Sequence, residues 1–557
     1  MSTITDRTRL RRLLYLTDVD SRYTAGNPED YFLKDFNTKL DFMLNVLSKQ
    51  ENIFIDILKE ANDDELLPRR VTLFYVLAFA LSRTESHSSN LTRNALALTA
   101  VHISKSDEEF FKFVSIYTKL NRFNSKNKIT TAVGRAFNLL LENKTPLEYA
   151  QAVSQRKGYH GWKYKDLIKL SHYKSKSKEK TLITYYVFFG MKEFEDQDLT
   201  DMKEIHEILV KWETLKKTED EAQATSLVKQ LHANFSHVNT DFVKSQEVWS
   251  AIISELPLLE LLRLLPKFHR LGLLKANSSV HNKVVKELSS LERIRESKID
   301  PMAVFICMKD FEKGGKPIDP KLEVYLKSNK DTIPDFQEKI NKFRSEPKCP
   351  IISCAIGKCL KFSYPSDPFS LGTGKRILLA LDVTSNPGAV CFKNRNITCL
   401  EAELALSLYY LKTEKNINVA KFSDEDVEGL ELDKNASFAE NLQMLKNCES
   451  EYLRVRAVFD WALENNKTVD VFICFVQTFQ SMHSVPKSMR TRGWNSIKDG
   501  LAKYQKKKPH PSAKFVLICL GSHNIPSFID VSNTLTICGF SPEIPKVIKA
   551  FVTGSFK

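Results

Sequence analysis

Gly374-Lys375-Arg376-Ile377-Leu378-Leu379-Ala380-Leu381-Asp382-Val383 holds an uninterrupted apolar run from Ile377 to Leu381. A strand with one wet face alternates apolar and polar residues. A strand covered on both faces is apolar throughout, so residues 376–383 predict a strand of a parallel sheet sandwiched between helices. Downstream, 398–411 reads as helix and 418–423 as strand, and 469–476 and 514–520 as two further strands, each preceded by a helical stretch. Strands alternating with helices predict a doubly wound α/β domain. In such sheets the functional rim lies at the carboxyl ends of the strands, which draws attention to Asp382.

Upstream the period changes. From about residue 38 to 331, apolar residues recur three and four apart, as in Leu40-Phe42-Met43-Val46-Leu47, Leu73-Val76-Leu77-Phe79 and Val248-Trp249-Ile252-Ile253-Leu256, the last stopped by Pro257. One core does not grow to three hundred residues, so many helices in series predict a HEAT-like stack of helical hairpins. The prolines between Pro350 and Pro368 mark the joint. The expected division is a helical domain over 1–362 and an α/β domain over 363–557.

The whole chain has 557 residues, 42% of them hydrophobic and 27% charged, a composition that excludes disorder and collagen-like architecture. Its 82 Lys and Arg against 68 Asp and Glu leave +14, which favours an anionic partner: nucleic acid first, then an acidic membrane surface or an acidic protein. No apolar window is long enough to span a bilayer, and the first thirty residues lack a secretory signal. The ten cysteines all lie at or beyond Cys307 and read as reduced core thiols of a cytosolic protein. Cys349, Cys354 and Cys359 are evenly spaced but have no C-x-x-C and no companion His, which argues against zinc.

The positive charge is concentrated. Between Gln151 and Lys180 stand nine Lys/Arg (Arg156, Lys157, Lys163, Lys165, Lys169, Lys174, Lys176, Lys178 and Lys180) against Asp166 and Glu179, half the net excess in thirty residues. Tyr159, Trp162, Tyr164 and Tyr173 are interleaved with them, as are His160 and His172. Cations neutralise phosphates while rings stack on unpaired bases, the way single-stranded RNA is held. The competing reading is a solvated helix face with Trp162 as a core anchor. A second basic stretch, Lys119, Arg122, Lys126, Lys128 and Arg135, favours the first.

At this segment, Gly161-Trp162-Lys163-Tyr164-Lys165-Asp166-Leu167-Ile168-Lys169-Leu170-Ser171-His172 resembles the signature of the Ro ribonucleoprotein autoantigens, the TROVE-domain family. Further matches follow in family order: 9–16, Gly134-Arg135-Ala136, 244–249, Ile299-Asp300-Pro301, 374–383, 422–425, 469–473 and Cys538-Gly539-Phe540. The resemblance implies a ring of HEAT-like repeats closed by a von Willebrand factor A-like domain. It also implies binding of small noncoding Y RNAs and of the 3′ ends of misfolded noncoding RNAs, in RNA quality control and without catalysis. The RNA-binding candidates are Arg135, Arg156, Lys157, Lys163, Lys165, Lys169 and His172, with His172 at the family's functional histidine. Tyr159 and His160 depart from the family pattern, so either Arg156 or Lys157 stands at its arginine position.

The resemblance also implies a magnesium site of the D-x-S-x-S type at the end of the first A-domain strand, where hard oxygen donors suit the ion. The chain has Asp382-Val383-Thr384-Ser385-Asn386, with Asn386 in place of the second Ser. Leu453, and Val476-Gln477, stand where the later loops supply oxygen donors. Asp382, Thr384 and Asn386 are therefore a degenerate set, and no cofactor is expected. The A-like domain is then a closure of the ring or a docking surface for protein partners.

Two other classes compete. A helical-repeat scaffold for acidic partners explains the charge but not the ordered matches. An enzyme could use Thr373-Gly374-Lys375 as a phosphate loop or Asp382 with Asp424 as a carboxylate pair, but the first precedes its strand and lacks the P-loop spacing, and acids at the rim are expected from fold alone. The expected protein is a non-enzymatic, monomeric RNA-binding subunit without membrane association, cytoplasmic with access to the nucleus. Lys506-Lys507-Lys508 is either a nuclear signal or a solvated loop.

Overall fold

The computed structural model describes residues 4–32, 41–84, 90–121, 129–191, 202–314, 328, 349–383, 388–423, 426–448, 453–477, 487–507, 512–522 and 533–556. Its strands are β1 (Arg22–Thr24), β2 (Arg376–Leu381), β3 (Val390–Cys391), β4 (Asn394–Thr398), β5 (Asn416–Ser423), β6 (Asp426–Gly429), β7 (Val471–Val476), β8 (Lys514–Cys519) and β9 (Thr534–Cys538). A seven-stranded sheet runs in the order β1-β9-β8-β7-β2-β5-β6. It is parallel throughout except for β6, which hairpins back on β5.

The apolar run of β2 behaves as its composition demands. Ile377, Leu379 and Leu381 enter the core on one face, with the helices Cys399–Thr413 and Ile544–Thr553. Leu378 and Ala380 enter a separate core on the other, with the helices Ala457–Glu464 and Lys487–Lys507. The α/β domain is doubly wound because its central strands have no polar face to leave uncovered.

The rest is helical. Asp41–Lys49, Val71–Thr84 and Gln246–Ile253 carry the three expected stripes, except that Leu40 of the first lies outside the described residues, and Val71–Thr84 is buried almost all round. One boundary differs from expectation: the third helix ends at Ile253, and Pro257 is instead the N-cap of the next helix, Leu258–Arg270. The helix Pro350–Phe362 ends where the composition shifts.

Both ends of the helical series return to the α/β domain. At one seam β1 pairs with β9, although β1 lies in the first thirty residues. Arg69 donates to the Thr24 carbonyl at 3.0 Å, and its guanidinium lies 4.4 Å from the ring centroid of buried Tyr23. At the other seam, helix Pro301–Glu312 meets the domain: Lys309 pairs with Glu401 at 3.1 Å, and Asn396 donates to Asp310 at 2.7 Å. Glu401 also closes a capping box with Thr398, so one carboxylate both starts the helix Cys399–Thr413 and anchors the seam. The chain thereby forms a ring of helical hairpins shut by the α/β domain. Among the described residues, no helix is long and apolar enough to cross a membrane.

Candidate nucleic-acid interface

Two helices and a tight hairpin build the site. Helix Thr131–Glu142 buries Ala132, Val133, Ala136, Phe137 and Leu141 and leaves Arg135 exposed. Helix Tyr164–Ser171 buries Tyr164, Leu167 and Ile168, so the opposite face presents Lys165, Lys169 four residues on and, three residues further at the C-cap, His172. Asp166 starts this helix by accepting the Lys163 N–H at 3.0 Å. His172 ends it in the left-handed conformation, φ 50°, where its own N–H reaches the Ile168 carbonyl.

The two helices can meet because of Gly134, where a Cβ would lie 3.3 Å from the Ser171 Cα. Asn138 reinforces the approach with a bond to the Ser171 carbonyl at 3.3 Å. Arg135 is thereby carried to the turn that holds His172.

The hairpin is made by Tyr159 and Trp162, which exchange two backbone hydrogen bonds of 2.9 Å across His160 and Gly161. Both central residues have positive φ, 51° and 87°, the requirement of a type I′ turn. Gly158 lets the returning chain pass, since a Cβ there would collide with the Trp162 carbonyl oxygen. The segment Tyr159-His160-Gly161 is thus a turn that presents Trp162.

Arg135, Lys169, His172, Trp162, His160 and Lys119 all line one cavity of about 1330 Å³, with further polar lining from Thr118, Thr130 and Thr131. Among the described residues, Arg135 and Lys169 have no ion-pair partner. Lys119 does, bonding Glu29 at 2.6 Å and holding that carboxyl below its usual range. Burial, and then Lys112, push the His160 imidazole below its ordinary value. Among the described residues the one acid on the wall, Asp166, is the helix-starting group already described. Among the described residues the wall mixes these cations and hydroxyls with the apolar side chains of Ile129 and Leu170 and the indole of Trp162.

The other candidates lie elsewhere. Arg156 ties the loop to residues 236–238, its guanidinium donating to the Val238 carbonyl at 2.8 Å. Lys157 is exposed near Lys267 and helps to lower that amine's pKa after burial. Lys163 is exposed and does not line the cavity, and Lys165 reaches the Phe188 carbonyl at 3.2 Å. Arg122, Lys126 and Lys128 of the second basic stretch lie outside the described residues, as does Lys508.

The expectation that four interleaved rings stack on bases needs correction. Tyr164 is buried and bonds Asp107, and Tyr173 is buried and donates to Glu142 at 2.9 Å. Tyr159 sits edge-on to Phe111 with centroids 5.6 Å apart. These three are packing anchors, because the helix face that buries Leu167 also buries Tyr164, and only Trp162 faces the cavity. The sequence reading missed the role of His160-Gly161, although a Gly after a residue tolerant of positive φ is a legible turn signal.

At the rim of the α/β domain the polar groups bond one another. Asp382 is fully buried and its carboxylate accepts the Gln477 N–H at 2.7 Å, while the Gln477 amide donates to the Asp382 carbonyl at 2.6 Å. The Asp382 N–H bonds Glu403 at 3.0 Å. Burial, and then the neighbouring Asp382, hold the Glu403 carboxyl well above the carboxylate range. Thr384, Asn386 and Asp424 lie outside the described residues. Among the described residues no group of three His, Cys, Asp or Glu is placed to hold a metal ion, and the Glu403 Oε1 and Gln477 Oε1 atoms at this rim are buried without a hydrogen-bond partner. The amides of Thr373 and Gly374, the phosphate-loop candidate, bind the Glu414 carboxylate, Gly374 at 3.0 Å.

Comparison with known proteins agrees with this architecture. Residues 376–552 match the model of the Ro60 vWA domain and residues 233–351 that of the TROVE domain. The cavity segment lies outside both matches. The RNA-binding protein RO60 of Caenorhabditis elegans is 24% identical over 344 residues, 61% of this chain and 47% of that protein. The matched stretch thus spans about half the length of that relative. The crystal structure of the Deinococcus radiodurans RO (RSR) protein superposes with a TM-score of 0.73 over 99% of this chain and 100% of that one, at 16% identity, a likeness of fold.

Proposed function

Because the chain belongs to the Ro60/TROVE family, we propose that it binds noncoding RNA at the cavity between helices Thr131–Glu142 and Tyr164–Ser171. One observation carries this reading: Arg135 and Lys169, without ion-pair partners among the described residues, converge with His172 and Trp162 on a single cavity. Exposed, unpaired cations attract phosphates, and a ring between them takes an unstacked base. The ligands are Y RNAs and the 3′ ends of misfolded noncoding RNAs, and the activity is retention in RNA quality control, not catalysis. The protein acts as a monomer in the cytoplasm, with access to the nucleus, and its α/β domain serves as a metal-independent closure that can dock protein partners.

Gel-shift titration of single-stranded RNA against the full chain tests the reading. Affinity falls as salt rises, and R135A/K169A reduces both affinity and salt slope without changing the melting temperature. Unchanged affinity in a folded R135A/K169A variant overturns it. Copurifying small RNA removed by ribonuclease separates this function from a scaffold for acidic proteins.

A further inference from the structure

The rings interleaved in the basic segment are buried, but a different pair is not. Helix Lys178–Phe189 turns Leu182, Ile183 and Tyr186 into the core. Its opposite side presents Lys178, Thr181, Tyr185 and Phe189, spaced three or four residues apart and hence on one stripe. Tyr185 is 51% exposed and Phe189 57%, values unusual for large rings that no packing requirement places there. Their centroids are 5.8 Å apart with planes inclined by 36°, and Phe188 lies beside them at 6.3 Å.

This stripe connects to the cavity through Lys165. Its amine lies 5.7 Å from the Phe188 centroid and bonds the Phe188 carbonyl. Lys165 also belongs to the same helical face as Lys169 and His172, which line the cavity. The surface therefore passes from the cavity groups His172 and Lys169, over Lys165, to the rings Phe189 and Tyr185, with Lys178 at the far end.

We propose that Tyr185 and Phe189 form a base-stacking platform that holds a single-stranded RNA segment leaving the cavity across Lys165, an inference that rests on the RNA-binding reading above. Cations beside exposed rings suit a polymer that alternates phosphates with flat apolar faces. A duplex hides those faces in its own stack, so the platform selects single strands. Any base has a face to offer, so it selects them without regard to sequence. An apolar protein segment is a poorer occupant, because Lys178, Thr181 and Lys165 interrupt the stripe.

Binding of oligouridylate and of a blunt RNA duplex to the full chain, measured by fluorescence anisotropy over a range of salt, tests the platform. Y185A/F189A is expected to weaken oligouridylate binding about tenfold or more, with an unchanged salt slope and unchanged duplex affinity. F189W is expected to retain affinity, with its indole fluorescence quenched on binding. Wild-type affinity in Y185A/F189A, where R135A/K169A still weakens binding, overturns the platform and leaves the RNA reading intact. So does an equal loss for duplex and single strand, or loss only of a copurifying protein. A wild-type chain that binds neither RNA overturns the RNA reading itself.

Discussion

The cavity beside His172 and the rim beside Asp382 are both places where the fold collects polar groups, and they use them in opposite ways. At the cavity, Arg135 and Lys169 have no ionic partner among the described residues and face solvent. At the rim, Asp382, Glu403 and Gln477 are buried and bond one another. A carboxylate buried among protein hydrogen bonds is closed off from an approaching ligand, even though Glu403 Oε1 and Gln477 Oε1 have no partner there, whereas an exposed cation keeps its whole field for an approaching phosphate. Charge count alone does not identify a binding site; the absence of internal partners does.

The largest test of this contrast removes the free groups. R135A/K169A/H172A should lower affinity for single-stranded RNA by about 100-fold or more, since the two cations alone contribute about 1.5 kcal/mol or more each through charge-assisted bonds. The salt slope should fall by roughly 0.7 for each phosphate that is no longer neutralised. Gel-shift titrations on a variant with an unaltered melting curve would break the contrast if affinity held.

Next come the glycines that shape the cavity wall. G158A drives a methyl group into the Trp162 carbonyl and should cost about 2–3 kcal/mol, with loss of RNA affinity as Trp162 moves. G161A meets nothing within 4 Å and carries only the strain of φ 87°, about 1 kcal/mol. Thermal melts of the pair should show that order, and equal effects would contradict the hairpin.

The rim responds through stability. Burial raises the Glu403 pKa above its unfolded value, so stability is complete below the unfolded pKa of about 4.3 and declines as pH rises toward the folded one. E403Q keeps an acceptor for the Asp382 N–H and removes that decline. It should therefore melt higher than wild type by roughly 3 °C at pH 8, with the gap closing near pH 4. Calorimetry showing a gap that widens toward acid would reverse the assignment. The smallest effect is none: magnesium should leave the melting temperature of the full chain unchanged, and a rise on titration would restore a metal site at Asp382.

The fold was legible because its signals are local. An apolar run without alternation at 377–381 means a doubly covered strand wherever it lies, and three-four periodicity at 71–84 and 246–253 means helix. β1 was not legible. Arg22-Tyr23-Thr24 has no strand pattern of its own and pairs only because β9, more than five hundred residues away, offers it an open edge.

The site divides along the same line. Residue order alone establishes the density of Lys and Arg over 151–180, the helix that places Lys165, Lys169 and His172 on one face, and the apolar strand that ends at Asp382. Which cations remain available, and which rings face water, are properties of the assembled chain. Assembly withdrew Tyr164 and Tyr173 into the core, engaged Arg156 with Val238 and Asp382 with Gln477, and exposed Tyr185 and Phe189. Periodicity names the face of a helix on which a residue stands. Whether that face meets a neighbour, a carbonyl or solvent depends on elements that arrive from distant parts of the chain.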